Sequence, residues 1–283
     1  MATFTNFATL SYSGGVLTSN TVTGELLETL SATKTAVRDS YGVGEDLTYV
    51  ISLVNSGTQP LNNLTVTDDL GGYDFAGGLV YPLAYAEDSV RYYVNGALQA
   101  APTVNAGPPL VITGINVPAG GNAIIVYEAD VTEYAPLASA SEIVNTVTVT
   151  GGGLSTPVVA TETVTARAGA SLAISKTLEP AVVTENGQIT YTFVIENYGN
   201  TAAVATDSVV LSDTFDPILN PITVSYNGAV WAEGANYTYD PATGAFSTVA
   251  GQITVPAATY EQNPDGTWRV IPGVAVVVVG GTV

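Results

Sequence analysis

The chain repeats itself at a spacing of 142 residues, and its only two lysines fall at the same place in the repeat. Lys34 stands in Leu30-Ser-Ala-Thr-Lys34-Thr35 and Lys176 in Leu172-Ala-Ile-Ser-Lys176-Thr177. The same offset relates Thr21-Val22-Thr23 to Thr163-Val164-Thr165, Tyr49 to Tyr191, Asn55 to Asn197 and Gly57 to Gly199. Side chains alternate between the two faces of a strand. Leu30, Ala32 and Lys34 therefore share one face, as do Leu172, Ile174 and Lys176. Each ammonium is expected on the apolar side, where an unpaired charge is costly and calls for a buried partner.

The repeat offers such partners. Leu64, Val66 and Asp68 alternate in one segment, Val209, Leu211 and Asp213 in its counterpart, and Asn145, Val147 and Val149 in a third. A lysine, an aspartate and an asparagine on inward faces of separate strands are the groups a spontaneous Lys–Asn isopeptide bond needs. A neutral amine attacks the amide carbon, a protonated acid polarises the amide and shuttles protons, and ammonia leaves. Burial favours both uncharged forms, because desolvation lowers a lysine pKa and raises a carboxyl pKa. Two plainer readings stay open. One is a hydrogen-bonded Lys/Asp/Asn cluster without a covalent bond, and the other a lysine that snorkels outward.

The frame of the repeat carries a second clue. From Asn145 the chain runs through Thr-Val-Thr-Val-Thr-Gly-Gly-Gly to Thr161-Glu-Thr-Val-Thr165, which reads as two strands joined by a glycine-rich hairpin. The N-terminus has the same design, from Asn6 through Gly14-Gly15 to Thr23. Asn6 precedes Asn145 by 139 residues, so the two hairpins differ in length by three. The second repeat reaches only the apolar run Val274–Val279, which matches Ala123–Tyr127 of the first, and shows no closing hairpin after it. An open sandwich ending in that run would expose an apolar edge with unpaired backbone groups. The expectation is that the N-terminal hairpin of one subunit completes the second module of the next, by strand donation. Such a contact is heterologous and propagates into a ring or a filament. Self-closure is the competing arrangement. It is disfavoured because six residues separate Thr23 from Leu30, tying the hairpin to the start of the first module.

Valine- and threonine-rich alternation, 29 glycines and the turn signals Asn95-Gly96, Asn227-Gly228 and Pro264-Asp-Gly266 point to an all-β chain. The expected organisation is two tandem immunoglobulin-like β-sandwich modules with an N-terminal donor hairpin. Residues 1–24 are the donor strands, 25–166 the first module and 167–283 the second, incomplete without donation. With no histidine and no cysteine, disulfides, Ser-His-Asp or Cys-His catalysis and histidine-bearing metal sites are excluded. No phosphate-binding loop or Gly-x-Ser-x-Gly is present, and a two-carboxylate glycosidase finds no specific support. The reading is not an enzyme, with no cofactor and no metal. Asp68, Asp69 and Asp74 lack the Asp-x-Asp-x-Asp-Gly loop of a calcium site. A formal charge of −19 argues against nucleic acid and anionic membranes as partners. The run Val274–Val279 is too short to insert into a bilayer. The opening Met-Ala-Thr-Phe-Thr-Asn shows no basic and apolar leader. Export is therefore expected after removal of a leader or by another route, such as release from a mother cell or assembly on a spore. The main rivals are a monomeric surface-layer module and a carbohydrate-binding adhesin. The latter would use Trp231, Trp268, Tyr92, Tyr93, Tyr237 and Tyr239 as an exposed stacking platform.

Three segments carry a family resemblance. They are Asp46-Leu-Thr-Tyr-Val-Ile-Ser-Leu-Val-Asn-Ser-Gly57, Leu64-Thr-Val-Thr-Asp-Asp-Leu70 and Val144-Asn-Thr-Val-Thr-Val-Thr150, with Gln188–Gly199 as a second copy of the first. Together they resemble the "conserved repeat domain" of bacterial surface proteins, a domain of unknown function. The resemblance implies immunoglobulin-like modules on a cell or spore surface, without a defined activity. Related surface and pilus modules carry Lys–Asn isopeptides beside an acidic residue, and Lys34, Asp68 and Asn145 match that arrangement by position. The second copy matches through Lys176 and Asp213 but lacks its own asparagine, unless Asn6 of a neighbour supplies it. The family's usual secretion and anchoring signals are not seen. The sequence thus predicts a subunit of an extracellular or spore-surface filament, whose partner is itself.

Overall fold

A computed structural model describes residues 2–26 and 28–283. The chain is an all-β protein, and among the described residues its helical structure is a single 3-10 turn, Ala205–Asp207. It divides into two compact units. The first holds the chain up to Thr132 together with Ile143–Val164, and the second holds Glu133–Glu142 and Thr165–Val283. Residues 133–142, expected in the first module, thus fold with the second unit. Their backbone is tied there: Trp268 N donates to Glu133 O, Ala166 N to Ser141 O, and the Asn200 side chain to Leu137 O.

The first unit is a closed sandwich. One sheet runs in the order Ala97–Leu98, Arg91–Val94, Asn122–Val131, Asp46–Asn55, Leu30–Ala36. The other runs Thr103–Asn105, Leu110–Val117, Leu61–Asp68, Glu142–Gly151, Val158–Ala166, Ser40–Tyr41. Period-two alternation turns Leu47, Tyr49, Ile51 and Leu53 of the first sheet toward Leu64, Val66, Leu110, Ile112, Val147 and Val149 of the second, all buried.

The second unit repeats the first sheet strand for strand, as Leu172–Glu179, Gln188–Asn197, Gly273–Thr282, Ile222–Tyr226 and Ala229–Trp231. Its core centres on Tyr191, Phe193, Ile195, Phe215, Val277 and Val279. Its facing sheet has three strands, Ser212–Thr214, Ala245–Thr248 and Tyr237–Asp240, with the Asp213 strand at the edge. In the first unit the corresponding Asp68 strand is flanked on that side by Glu142–Gly151 and then Val158–Ala166. Among the described residues, the second unit has no strand in either place. One expectation is corrected by this topology. The valine-rich strand is not an apolar edge, because Gly273–Thr282 is hydrogen-bonded on both sides, to Gln188–Asn197 and Ile222–Tyr226. The open edge lies in the other sheet, at Asp213. The strand Leu172–Glu179 is exposed along its whole length.

Local rules set the punctuation. Asn95-Gly96 and Asn227-Gly228 take positive φ at both residues (45° and 79°, 49° and 81°), the geometry of a two-residue hairpin turn that follows the strand twist. The recurrent Asn-x-Gly is a buried clamp. Asn55 donates to the carbonyls of Gln59, Val117 and Pro118 at 2.8, 3.3 and 3.1 Å and accepts from Gly57 N at 2.9 Å. Asn197 does likewise toward Thr201 O, Pro256 O, Gly199 N and Ser171 N. Glycine is required at 199, where a Cβ would sit 2.1 Å from Gly169 O. Replacing Asn55 by Ala orphans several buried backbone groups at once, so the first unit is expected to lose about 3 kcal/mol of stability. Urea melts read this directly, and a loss under about 1 kcal/mol would contradict the clamp.

The N-terminal segment is a long hairpin. Ala2–Asn6 pairs with Val22–Leu26, and Thr9–Tyr12 with Gly15–Thr18, so the paired region runs two residues past the expected limit of 24. Directly paired residues share a face, which places Asn6 with Val22 and Leu10 with Leu17. The Phe4 ring lies over Gly24, and the Tyr12 ring over Gly14. Phe4, Leu10, Tyr12, Leu17 and Val22 are each more than half exposed. Threonine and serine dominate the opposite face. These apolar side chains, with Phe7 and Val16 besides, are bare.

Candidate cross-linking site

Two elements set Lys34 over Asp68. The strand Leu30–Ala36 pairs with Asp46–Asn55, with Lys34 opposite Ile51, and the inward parity predicted from the sequence holds. Leu61–Asp68 pairs with Glu142–Gly151, with Val147 opposite Asp68. Asn145 lies two residues before Val147 and on the same face. Lys34, Asp68 and Asn145 are all buried, and the Lys34 and Asp68 side chains have no solvent exposure.

The three are joined through a residue that the sequence pattern did not single out. Lys34 Nζ donates to Asp68 Oδ2 at 2.6 Å. Tyr127 Oη donates to the same oxygen at 2.6 Å, and Asn145 Nδ2 donates to Tyr127 Oη at 3.2 Å. Leu70 N holds Asp68 Oδ1 at 3.1 Å. Tyr127 is stacked on Tyr49, its cross-strand partner, with ring centroids 5.5 Å apart. Lys34 Nζ lies 4.9 Å from the Tyr49 ring centroid, so aromatic faces form the wall behind the amine. Both tyrosines carry a signal in the sequence: Tyr49 recurs as Tyr191, and Tyr127 shares inward parity with Ala123 and Ile125. Asp69 Oδ1 accepts from Gly71 N at 2.9 Å and Thr146 N at 2.8 Å, fastening the Asn145 strand.

Burial governs the electrostatics. It lowers the pKa of Lys34, an effect opposed by the charge and hydrogen bond of Asp68. It raises the Tyr127 phenol well above its ordinary value, with the Asp68 charge adding to the effect, and raises Tyr49 too. Among the described residues, the buried side-chain atoms without a hydrogen-bond partner are Asn145 Oδ1 and Tyr49 Oη. An unpartnered amide oxygen in a dry core costs about 1–3 kcal/mol and asks for an explanation. The chamber holds an amine whose pKa is lowered by burial, a carboxylate hydrogen-bonded to it, and a primary amide tied to that carboxylate through a phenol. These are the parts for amide exchange.

The second unit keeps half of this site. Lys176 is ion-paired with Asp213, and its Nζ lies 4.4 Å from the Tyr191 ring centroid. Burial is where the copies part: the Lys176 side chain is 41% exposed, against 0% for Lys34. Leu172 is 42% exposed where its counterpart Leu30 is 6%. The expectation that Lys176 is covered is therefore not met within the single chain, because among the described residues no strand lies beyond the Asp213 edge. Val279 pairs with Tyr191 as Tyr127 pairs with Tyr49, so the bridging phenol is missing. Asn6 lies in the N-terminal hairpin, exposed and opposite Val22.

The six aromatics of the adhesin reading do not form an exposed platform. Tyr92 and Tyr237 are buried, and Tyr93, Tyr239, Trp231 and Trp268 are half-buried. Tyr92 Oη donates to Asn116 O and accepts from Asn116 N, and Tyr239 Oη does the same with Leu219, which are structural roles. Among the described residues no helix is long and apolar enough to cross a membrane.

No protein-family model matches the chain, and no curated protein matches it. Among solved structures, it is similar to BcpA, the major pilin subunit of Bacillus cereus, at 12% identity and a TM-score of 0.37, over 96% of this chain and 73% of that one. The pilus backbone RrgB from Streptococcus pneumoniae is also similar, at 12% identity and a TM-score of 0.36, over 87% of this chain and 57% of that one. A family 123 glycoside hydrolase from Clostridium perfringens matches 49% of this chain at 13% identity and a TM-score of 0.31, and the match spans 27% of its length. Likeness at this level assigns the chain neither a family nor an activity.

Proposed function

We propose that this chain is the structural subunit of a self-assembling extracellular or spore-surface filament. Residues 1–24, with the paired strand continuing to Leu26, complete the second module of a neighbouring copy. Residues 25–166 without 133–142 form the first module, and 167–283 together with 133–142 the second. The observation that carries this reading is a half-built sheet ending at Asp213, set against a bare hairpin whose sequence repeats the two strands that close the first unit. Main-chain pairing along the Asp213 edge and burial of the apolar face of the hairpin would supply the affinity. Because donor and acceptor are different surfaces, each added copy presents a fresh acceptor, and growth continues head to tail. Within the first module, Lys34 and Asn145 form an isopeptide bond with Asp68 as proton shuttle. The subunit acts on no external substrate and uses no cofactor or metal. Electron microscopy and sedimentation of the purified chain test this reading. Filaments that lengthen with protein concentration are expected, and a species that stays monomeric at all concentrations would refute it.

A further inference from the structure

We infer that Lys176 and Asp213 form a dormant acceptor, which bonds covalently to Asn6 of a second copy only after that copy's hairpin has docked. The inference rests on the strand-donation reading.

The first unit supplies the register. Val147, Val149 and Gly151 stand opposite Asp68, Val66 and Leu64. The hairpin offset of 139 brings Ala8, Leu10 and Tyr12 of the donor opposite Asp213, Leu211 and Val209 of the acceptor. An open apolar groove lined by Leu172, Ile174, Ile195, Val209 and Leu211 lies on this face, ready for the apolar side of the hairpin. Asn6 then takes the position of Asn145, two residues before the residue that faces the aspartate.

The undocked acceptor has a nucleophile and an acid but no amide, and water reaches its lysine. Docking changes both conditions. It delivers the amide, and it removes the water that solvates the ion pair, which disfavours both charged forms. Lys176, having passed its proton to Asp213, attacks Cγ of Asn6 of the second copy through Nζ. The Nζ–Cγ bond forms, the Cγ–Nδ2 bond breaks, and Nδ2 leaves as ammonia with protons relayed by Asp213. Val279 leaves no phenol between acid and amide, so Asp213 must serve the incoming amide directly, where Tyr127 intervenes in the first unit. Reaction after docking keeps the acceptor open in free subunits and fixes only contacts that have seated in register.

Boiled fibres on a denaturing gel read the outcome. Wild type is expected to give a ladder of multimers, whereas fibres of Asn6→Ala or Lys176→Arg dissolve to monomer. Mixing the two variants is the sharper test. Only Lys176 of the Asn6→Ala chain and Asn6 of the Lys176→Arg chain can react, so covalent dimers should appear and nothing larger. Tandem mass spectrometry should find one branched peptide joining the two segments, lighter by one ammonia. Wild-type fibres that dissolve wholly to monomer overturn the covalent step and leave strand donation intact. Absence of fibres from the wild type overturns both.

Discussion

Deletion of residues 1–24 is expected to abolish polymerisation and leave a monomer with a fully folded first module. Both sheets of that module are built from Leu30 onward, and no described side chain of the hairpin is in its core. The loss should be near complete. Five exposed apolar side chains of the hairpin, Phe4, Leu10, Tyr12, Leu17 and Val22, would each contribute about 1.5–3 kcal/mol on full burial, before the cost of association. Removing them raises the concentration needed for assembly by many orders of magnitude. A free peptide spanning Thr3 to Gly24 should occupy acceptors and shorten wild-type fibres in proportion to its concentration. Normal filaments from the truncated chain would end the strand-donation reading.

The second large effect concerns Lys34 and Asn145. The intact mass of a freshly purified monomer is expected to fall short of the sequence mass by one ammonia. Lys34→Arg, Asp68→Ala and Asn145→Ala should each restore it. Arginine keeps the charge but remains protonated and cannot attack. Closing a loop of roughly 110 residues is worth about 4–5 kcal/mol by chain entropy, by analogy with a disulfide, and the variants should melt about 10–20 °C lower. Bond formation in newly folded protein should change little with pH while the Lys34–Asp68 pair holds one proton, because the amine becomes neutral by passing that proton to Asp68, and should slow once higher pH removes it. Burial lowers the Lys34 pKa, so the slowing should set in below the ordinary lysine range. A full sequence mass in the wild type would leave the cluster hydrogen-bonded only.

Much of the site is legible in the amino-acid order alone. The inward parity of Lys34, Asp68 and Asn145 follows from strand stereochemistry, and for Lys34 the 142-residue spacing to Lys176 repeats it. The Asn-Gly turns are legible for the same reason, since two successive positive φ values are a local demand that few residue pairs satisfy. The correspondence of Val274–Val279 with Ala123–Tyr127 is also readable, and both strands lie beside the tyrosine-bearing strand of their sheet.

What local stereochemistry could not decide is who lies next to whom across the fold. Tyr127 joins acid to amide only because antiparallel pairing stacks it on Tyr49 and the facing sheet lowers Asp68 and Asn145 onto its hydroxyl. The valine-rich strand reads as an edge, but an edge is defined by neighbours on both sides, and two strands distant in sequence flank it. Residues 133–142 join the second unit through hydrogen bonds to segments as far along the chain as Trp268. The contrast between Lys34 and Lys176 is the clearest case. Their sequence contexts are nearly the same, so the sequence alone determined which face of the strand each occupies. Burial is a property of what covers that face, and only the tertiary structure decided that one lysine is sealed in the core while the other waits, partly exposed, at an open edge.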